Sequence, residues 1–314
     1  MKKINLYLLL PVMVLLFVFN NSYGQSAEDY FKAGREKFKN KDYKGAIVEH
    51  TKAIGLIPDN DVAYFNRGLA KKMAGDYNGA ISDYNMSIEL TLAKYAKEDR
   101  EDNYEDASGE NLILVKQYNG MKMYILAQQY YYRGISKFML KDYRGAIADY
   151  DKAINTDSSH IDSYFERGYT KNTIKDYEGA FNDYDKMIKI DSNTVEGYNG
   201  RGFSSFQLLD YEEALNDYNK SIELDPKWEV SYYERATVKI SLLDFKGAMA
   251  DYNKAIDLNP KYGDAYFARG LIKETLNDMK GACEDWLKSV EIGGEGLELV
   301  KDMIDKKCGL GNRQ

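Results

Sequence analysis

Residues 195–228, VEGYNGRGFSSFQLLDYEEALNDYNKSIELDPKW, are followed without a gap by residues 229–262, EVSYYERATVKISLLDFKGAMADYNKAIDLNPKY. The two 34-residue stretches align without insertion: Tyr198 falls on Tyr232, Asp210 on Asp244, Ala214 on Ala248, Tyr218 on Tyr252 and Pro226 on Pro260. Self-similarity at a fixed period of this length is the signature of a repeat array. Followed outward, the alanine of this frame recurs at Ala46, Ala80, Ala146, Ala180, Ala214, Ala248 and Ala282. The steps are 34 residues except between Ala80 and Ala146, where a further 32 residues intervene. The repeats therefore begin at residues 27, 61, 127, 161, 195, 229 and 263.

Within this frame the columns agree. The fourth place is Tyr30, Tyr64, Tyr130, Tyr164, Tyr198, Tyr232 and Tyr266. The eighth is glycine in every repeat but one, which has Ala236, and the sixteenth is aspartate throughout, from Asp42 to Asp278. The seventeenth runs from Tyr43 to Met279, and the twenty-fourth reads His50, Tyr84, Tyr150, Tyr184, Tyr218, Tyr252 and Trp286. Proline closes three repeats, at Pro58, Pro226 and Pro260. Small residues at the eighth and twentieth places let two helices approach, and large ones at the fourth, seventeenth and twenty-fourth fill the space around that contact. The aspartate stands where the second helix needs an N-cap. Only four prolines occur in 314 residues, as a mostly helical chain requires.

The pattern resembles the tetratricopeptide repeat family, over residues 27 to 296. It departs from the family in having tyrosine for tryptophan at the fourth place and arginine for leucine at the seventh. The resemblance implies an all-α fold, a right-handed solenoid of antiparallel helix pairs. Each pair is too small to bury its apolar face alone and stacks on its neighbours. Leu297, Val300 and Ile304 place an apolar stripe on a helix after the last repeat, which the array needs as a cap. The expected organisation is a signal peptide over 1–24, repeats one and two over 25–94, an acidic insert over 95–126, repeats three to seven over 127–296, and a capping helix and tail over 297–314.

The signal peptide rests on Lys2 and Lys3, the apolar run from Leu6 to Phe19, and small residues Ser22 and Gly24 before a cut at Gln25. The run is short for a membrane span. Cleavage after Gly24 would make the product periplasmic or secreted, with no membrane span left. It would also take the net charge of −7 two units lower, which argues against a nucleic-acid partner.

The insert opens with Glu98, Asp99, Glu101, Asp102, Glu105, Asp106 and Glu110. Asp99, Glu101, Asn103, Glu105 and Glu110 have calcium-loop spacing, but Tyr104 stands where such a loop needs glycine, so a solvated loop or helix extension is expected instead. Further on, Asn119-Gly120 is a hairpin signal, while Leu114, Tyr118, Met121 and Ile125 fit a helical stripe. Helix is slightly preferred.

Catalytic and metal-binding patterns are missing. His50 sits in an otherwise aromatic column, which makes it a packing residue, and His160 lies in a turn between repeats. There is no His/Cys metal spacing, phosphate loop or nucleophile elbow. No enzyme activity and no cofactor are expected.

Function then falls to a surface. The family resemblance implies that the first helices line a concave face, with their second, fifth and ninth places pointing inward. The fifth place reads Phe31, Phe65, Tyr131, Phe165, Asn199, Tyr233 and Phe267, and the ninth adds Tyr169 and Phe203. The second adds Glu28, Asp162, Glu196 and Asp264, while repeat one contributes Lys32, Arg35 and Lys39. For about half of these rings, packing between repeats is the simpler role. The rest would floor a largely acidic groove for an extended peptide or partner protein. A glycan or cell-wall polymer is the alternative, since rings also stack on sugars. The family's clamp for chaperone tails is not expected: Asn66 matches one member, but Phe31 replaces its first lysine. The partner's identity and the oligomeric state are not legible.

Two pairings complete the expectations. Arginine holds the seventh place in six repeats and an acid the twenty-third in all seven. Repeat one has Ala33 but keeps Glu49, so the expected pairing runs between repeats, Arg67 with Glu49 and Arg201 with Asp183. Cys283 and Cys308 are the sole cysteines, and a disulfide or two buried thiols both fit.

Overall fold

The computed structural model describes residues 26–101, 110–293 and 297–309. The expected signal peptide and the middle of the insert lie outside the described residues. Among the described residues there are α-helices and no strand. The chain forms two compact units, divided after Thr156.

The first unit holds α1 (Ala27–Lys39), α2 (Tyr43–Leu56), α3 (Asp61–Met73), α4 (Tyr77–Glu101), α5 (Glu110–Met139) and α6 (Tyr143–Thr156). The second holds α7 (Ile161–Thr173), α8 (Tyr177–Ile190), α9 (Val195–Gln207), α10 (Tyr211–Leu224), α11 (Glu229–Ser241), α12 (Phe245–Leu258), α13 (Gly263–Thr275), α14 (Met279–Ile292) and α15 (Leu297–Lys307). Within each unit, each repeat's two helices pack together and its second helix packs on the next first helix.

Two local devices make each pair. The sixteenth-place aspartate accepts the amide three residues on, as Asp42 does from Gly45 at 2.9 Å and Asp244 from Gly247 at 2.9 Å. The residue before it turns the chain in the left-handed region: Lys41, Lys141, Lys175, Leu209, Leu243 and Asn277 do so with φ of 61–67°, and only Gly75 is glycine. The eighth-place glycine then admits the ring of the twenty-fourth place. A Cβ on Gly68 would lie 2.8 Å from the Tyr84 ring and one on Gly134 2.6 Å from Tyr150. Tyr84, Tyr150, Tyr184, Tyr218, Tyr252 and Trp286 are the largest fully buried side chains.

The arginine pairing is corrected. Each arginine binds the acid of its own repeat: Arg67 holds Asp83 through Nε at 2.9 Å and Nη2 at 2.7 Å, and Arg201 holds Asp217 at 3.0 and 2.7 Å in the same way. The other four repeats with an arginine repeat this fork. Repeat one misled because lysine at the eleventh place also serves the acid. Lys37 holds Glu49 at 2.9 Å, as Lys71 holds Asp83 at 2.8 Å. The third guanidinium nitrogen does reach the preceding repeat, but at its twenty-fifth place: Thr51 for Arg67, Asn85 for Arg133, Asp185 for Arg201, Asn219 for Arg235 and Asn253 for Arg269. The guanidinium also lies over the fourth-place ring, 5.3 Å from the centroid of Tyr64 and 5.8 Å from that of Tyr198. The two departures from the family pattern, tyrosine at the fourth place and arginine at the seventh, thus form one structural unit.

The insert lengthens two neighbouring helices, α4 to 25 residues and α5 to 30, against 13 or 14 in the others of the repeats. Helix, not hairpin, runs through Asn119-Gly120. The Tyr95 hydroxyl donates to the Lys122 carbonyl at 3.2 Å, and buried Lys122 pairs with Glu98 at 2.8 Å. Met121 and Ile125 of the expected stripe are exposed. At the other end, Val300 and Ile304 of α15 cover Ala282 and Trp286, and Cys283 is joined to Cys308 in a disulfide with 5.8 Å between Cα atoms.

Candidate functional site

The fifth-place rings do not form an exposed row. All six are half-buried. Five lean on the buried twenty-fourth-place ring of their own repeat, with centroids 5.5 Å apart for Phe31 and His50, 5.8 Å for Phe65 and Tyr84, 6.3 Å for Tyr131 and Tyr150, 6.2 Å for Phe165 and Tyr184, and 5.5 Å for Tyr233 and Tyr252. Phe267 packs on the cluster around Trp286. These rings extend the core first. They can meet a ligand only where a cavity opens beside them.

Two cavities open on the first helices. The one in the second unit, about 430 Å³, is bounded by α7, α9 and α11. Phe165, Tyr169, Asn199 and Phe203, all groove residues expected from the sequence, line it. Tyr169 is 49% exposed. Repeat five explains the opening. Asn199 stands where the other repeats carry a ring, and its amide is turned to Ser231 Oγ, to which it donates at 2.9 Å. The next residue, Gly200, adds no side chain, and a Cβ there would collide with the Tyr184 ring. The missing ring at Asn199 leaves the void, and Gly200 lets the Tyr184 ring close in beside it.

The far wall is Trp228, Val230 and Glu234, none of which the sequence reading singled out. A signal existed for Trp228, one of two tryptophans in the chain and the one outside the repeat's aromatic columns. Glu234 carries no such mark. Among the described residues its carboxylate has no hydrogen-bond or ion-pair partner, and burial pushes it up to about 7. Glu196 lines the cavity too, and among the described residues no lysine, arginine or histidine does.

The cavity of the first unit, about 480 Å³, lies among α1, α3 and α5. Phe31, Phe65 and Tyr132 give it rings, and Tyr124 and Ile125, from the lengthened part of α5, close it. Its charged residue is Arg35. Asn66 donates to the Val62 carbonyl at 2.8 Å, within its own helix. Tyr131, Tyr233 and Phe267 line neither cavity, nor do Glu28, Asp162 and Asp264.

The histidines have structural surroundings. His50 is buried against Gly34, and burial brings it down to about 4, so it stays neutral. His160 caps α7, its Nδ1 accepting from the Ser163 amide at 3.2 Å. Among the described residues no group of histidine, cysteine and carboxylate side chains could hold a metal ion, and no helix is long and apolar enough to cross a membrane.

Comparison with known proteins agrees with the repeat frame. Residues 195–227 and 230–262 each match the family described as tetratricopeptide repeat. Tetratricopeptide repeat protein 36 of Xenopus tropicalis is 34% identical over 73 residues, which is 23% of this chain. The match takes in 36% of that relative, so the chain spans about a third of the length of the curated protein it resembles. Among solved structures, a tetratricopeptide repeat protein from Parabacteroides merdae superposes with a TM-score of 0.64 at 19% identity, over 91% of this chain and 100% of that one. The C-terminal part of a repeat-containing protein from Cytophaga hutchinsonii does so with a TM-score of 0.60 at 18% identity, over 87% and 98%. At these identities the likeness speaks for the fold. With seven copies of the motif in one register, two of them matched as such, the chain is a tetratricopeptide repeat protein.

Proposed function

We propose that the chain is a non-catalytic scaffold that docks an extended segment of a partner protein on its first helices, with the two cavities receiving side chains. Proteins of this repeat type generally mediate protein–protein interactions. The observation that carries the reading is that both cavities open on the first helices, each where the repeat is broken: by Asn199 in one unit and by the insert in the other. Aromatic walls of this kind dominate interface energies when a partner covers them. In this reading the chain is exported, cut after Gly24, and works in the periplasm or outside the cell.

The test is a photo-crosslinking residue at Tyr169, used in the native envelope and read by mass spectrometry. One protein should crosslink, and Phe203→Ala, with unchanged melting, should abolish the crosslink. Crosslinks to wall polymer alone would replace this reading with the glycan-binding one. N-terminal mass analysis checks the export: a chain still carrying Leu6 to Phe19 would overturn it.

A further inference from the structure

The cavity of the second unit holds an acid that the fold does not use. The buried acids of the twenty-third place have structural partners: Asp217 is held by Arg201, and Asp251 by Arg235 and Lys239. Glu234 has none among the described residues, yet it lies beside the rings of Phe165, Tyr169, Phe203 and Trp228. Packing does not demand an acid at this place, the sixth of its repeat, since Ala268 and Gly200 fill it elsewhere. A carboxylate among rings is costly unless a cation meets it, and among the described residues no cationic side chain lines the cavity.

Three kinds of side chain could enter. An acidic one meets Glu196 and Glu234 and is repelled. An apolar one suits the rings and leaves Glu234 buried without a partner. A guanidinium or ammonium pairs with Glu234 among the rings of Tyr169, Phe203 and Trp228, and aromatic rings attract cations through their quadrupole. We propose that this cavity takes the side chain of an arginine or lysine in the docked segment, with Glu234 as its counter-ion. The inference rests on the docking reading above and adds to it the chemistry of one contact. The partner's segment is thereby basic at the residue that occupies this unit.

The probes are capped pentapeptides of one sequence differing only at the central residue: arginine, lysine, citrulline or glutamate. Binding to the purified protein is measured by calorimetry, and the Trp228 indole signal is followed by NMR. The arginine and lysine peptides should bind and shift that signal. Citrulline has the shape of arginine without its charge and should bind on the order of 10-fold more weakly. Glu234→Gln should shrink that ratio to below about threefold while the variant melts as a folded protein. Citrulline within about threefold of arginine, or an arginine preference that survives Glu234→Gln, would overturn the proposal and leave the docking reading standing. Failure of every peptide to bind would overturn both, and a shift of the Trp228 signal by chitotetraose would then assign the cavity to sugars.

Discussion

The cavity of the first unit is walled by α1, α3 and α5 and carries Arg35, whereas that of the second is walled by α7, α9 and α11 and carries Glu196 and Glu234. Both use the same columns of one repeat. The first is made by addition, because α5 has been lengthened until Tyr124 and Ile125 form a wall. The second is made by subtraction, because repeat five lacks a ring at Asn199. A repeat array thus gains a site where it stops repeating, and the manner of the break decides the site's charge.

The same repeat five is also the weaker one electrostatically, and this gives the largest expected effect. Ser205 replaces the eleventh-place lysine, so Asp217 has Arg201 without the lysine that Asp83 has in Lys71. Burial outweighs the arginine and pushes the Asp217 carboxyl above its ordinary range. Arg201→Ala should therefore cost about 3 kcal/mol, and Arg67→Ala clearly less. Arg201→Ala and Asp217→Ala should couple by about 2 kcal/mol in a double-mutant cycle, while Arg201→Ala and Asp183→Ala add. Equal losses at Arg201 and Arg67 in denaturant melts would break the contrast between the units.

Gly200→Ala comes next. Its Cβ meets the Tyr184 ring, and overpacking of this kind costs about 1–3 kcal/mol. The variant should lose peptide binding in the second unit and leave a probe at Tyr124 in the first unit unaffected. A fully stable variant with unchanged binding would show that the close approach of Tyr184 to Gly200 does not shape the cavity.

Glu234→Gln sharpens the comparison through pH. The folded-state value of about 7 lies above the ordinary 4.5, so folding favours the protonated acid. The folded chain then loses stability as pH rises from about 4.5 through 7, and glutamine removes that loss. Tempered by the residue's partial exposure, the gain should be about 1–2 kcal/mol at pH 8 and vanish near pH 4. Melting curves at the two pH values decide it, and a gain independent of pH would point to packing instead.

The smallest effect lies in the turns. Leu209 and Leu243 are 70% and 74% exposed and hold positive φ, which Gly75 in the first unit holds without a Cβ. Leu243→Gly should stabilise by about 0.5–1 kcal/mol and Gly75→Leu should destabilise by about as much. Opposite signs would show that the leucines pack in a way their exposure conceals.

What was legible followed from repetition. Seven copies of Tyr, Gly, Asp, Ala and a large residue defined helix pairs, caps and core, because any column that recurs reports a geometry shared by every repeat. The site was partly legible: Phe165, Tyr169, Asn199 and Phe203 were marked by the inward columns. Glu234 and Trp228 were not, because a residue that varies from copy to copy carries no register signal, and its burial depends on what repeat five omits. The pairing error at Arg67 has the same origin. Ala33 removes the arginine from repeat one, but Lys37, one turn further along the helix, supplies the charge that Glu49 needs.

The third arm of each guanidinium has a thermodynamic consequence. Nε and Nη2 fasten a repeat to itself and Nη1 hooks the repeat before it, so one side chain enters both the intrinsic stability of a repeat and its coupling to a neighbour. The hook exists only while both repeats are folded, because Asp251 holds the plane that aims it and the earlier repeat presents Asn219. Within the second unit, opening the repeat of Arg235 therefore unfastens Asn219 in the repeat before it, whereas opening that earlier repeat leaves Arg235 still bound to Asp251. The hook is lost whichever of the two repeats opens, so it is a single coupling term that each repeat lends equally to its neighbour.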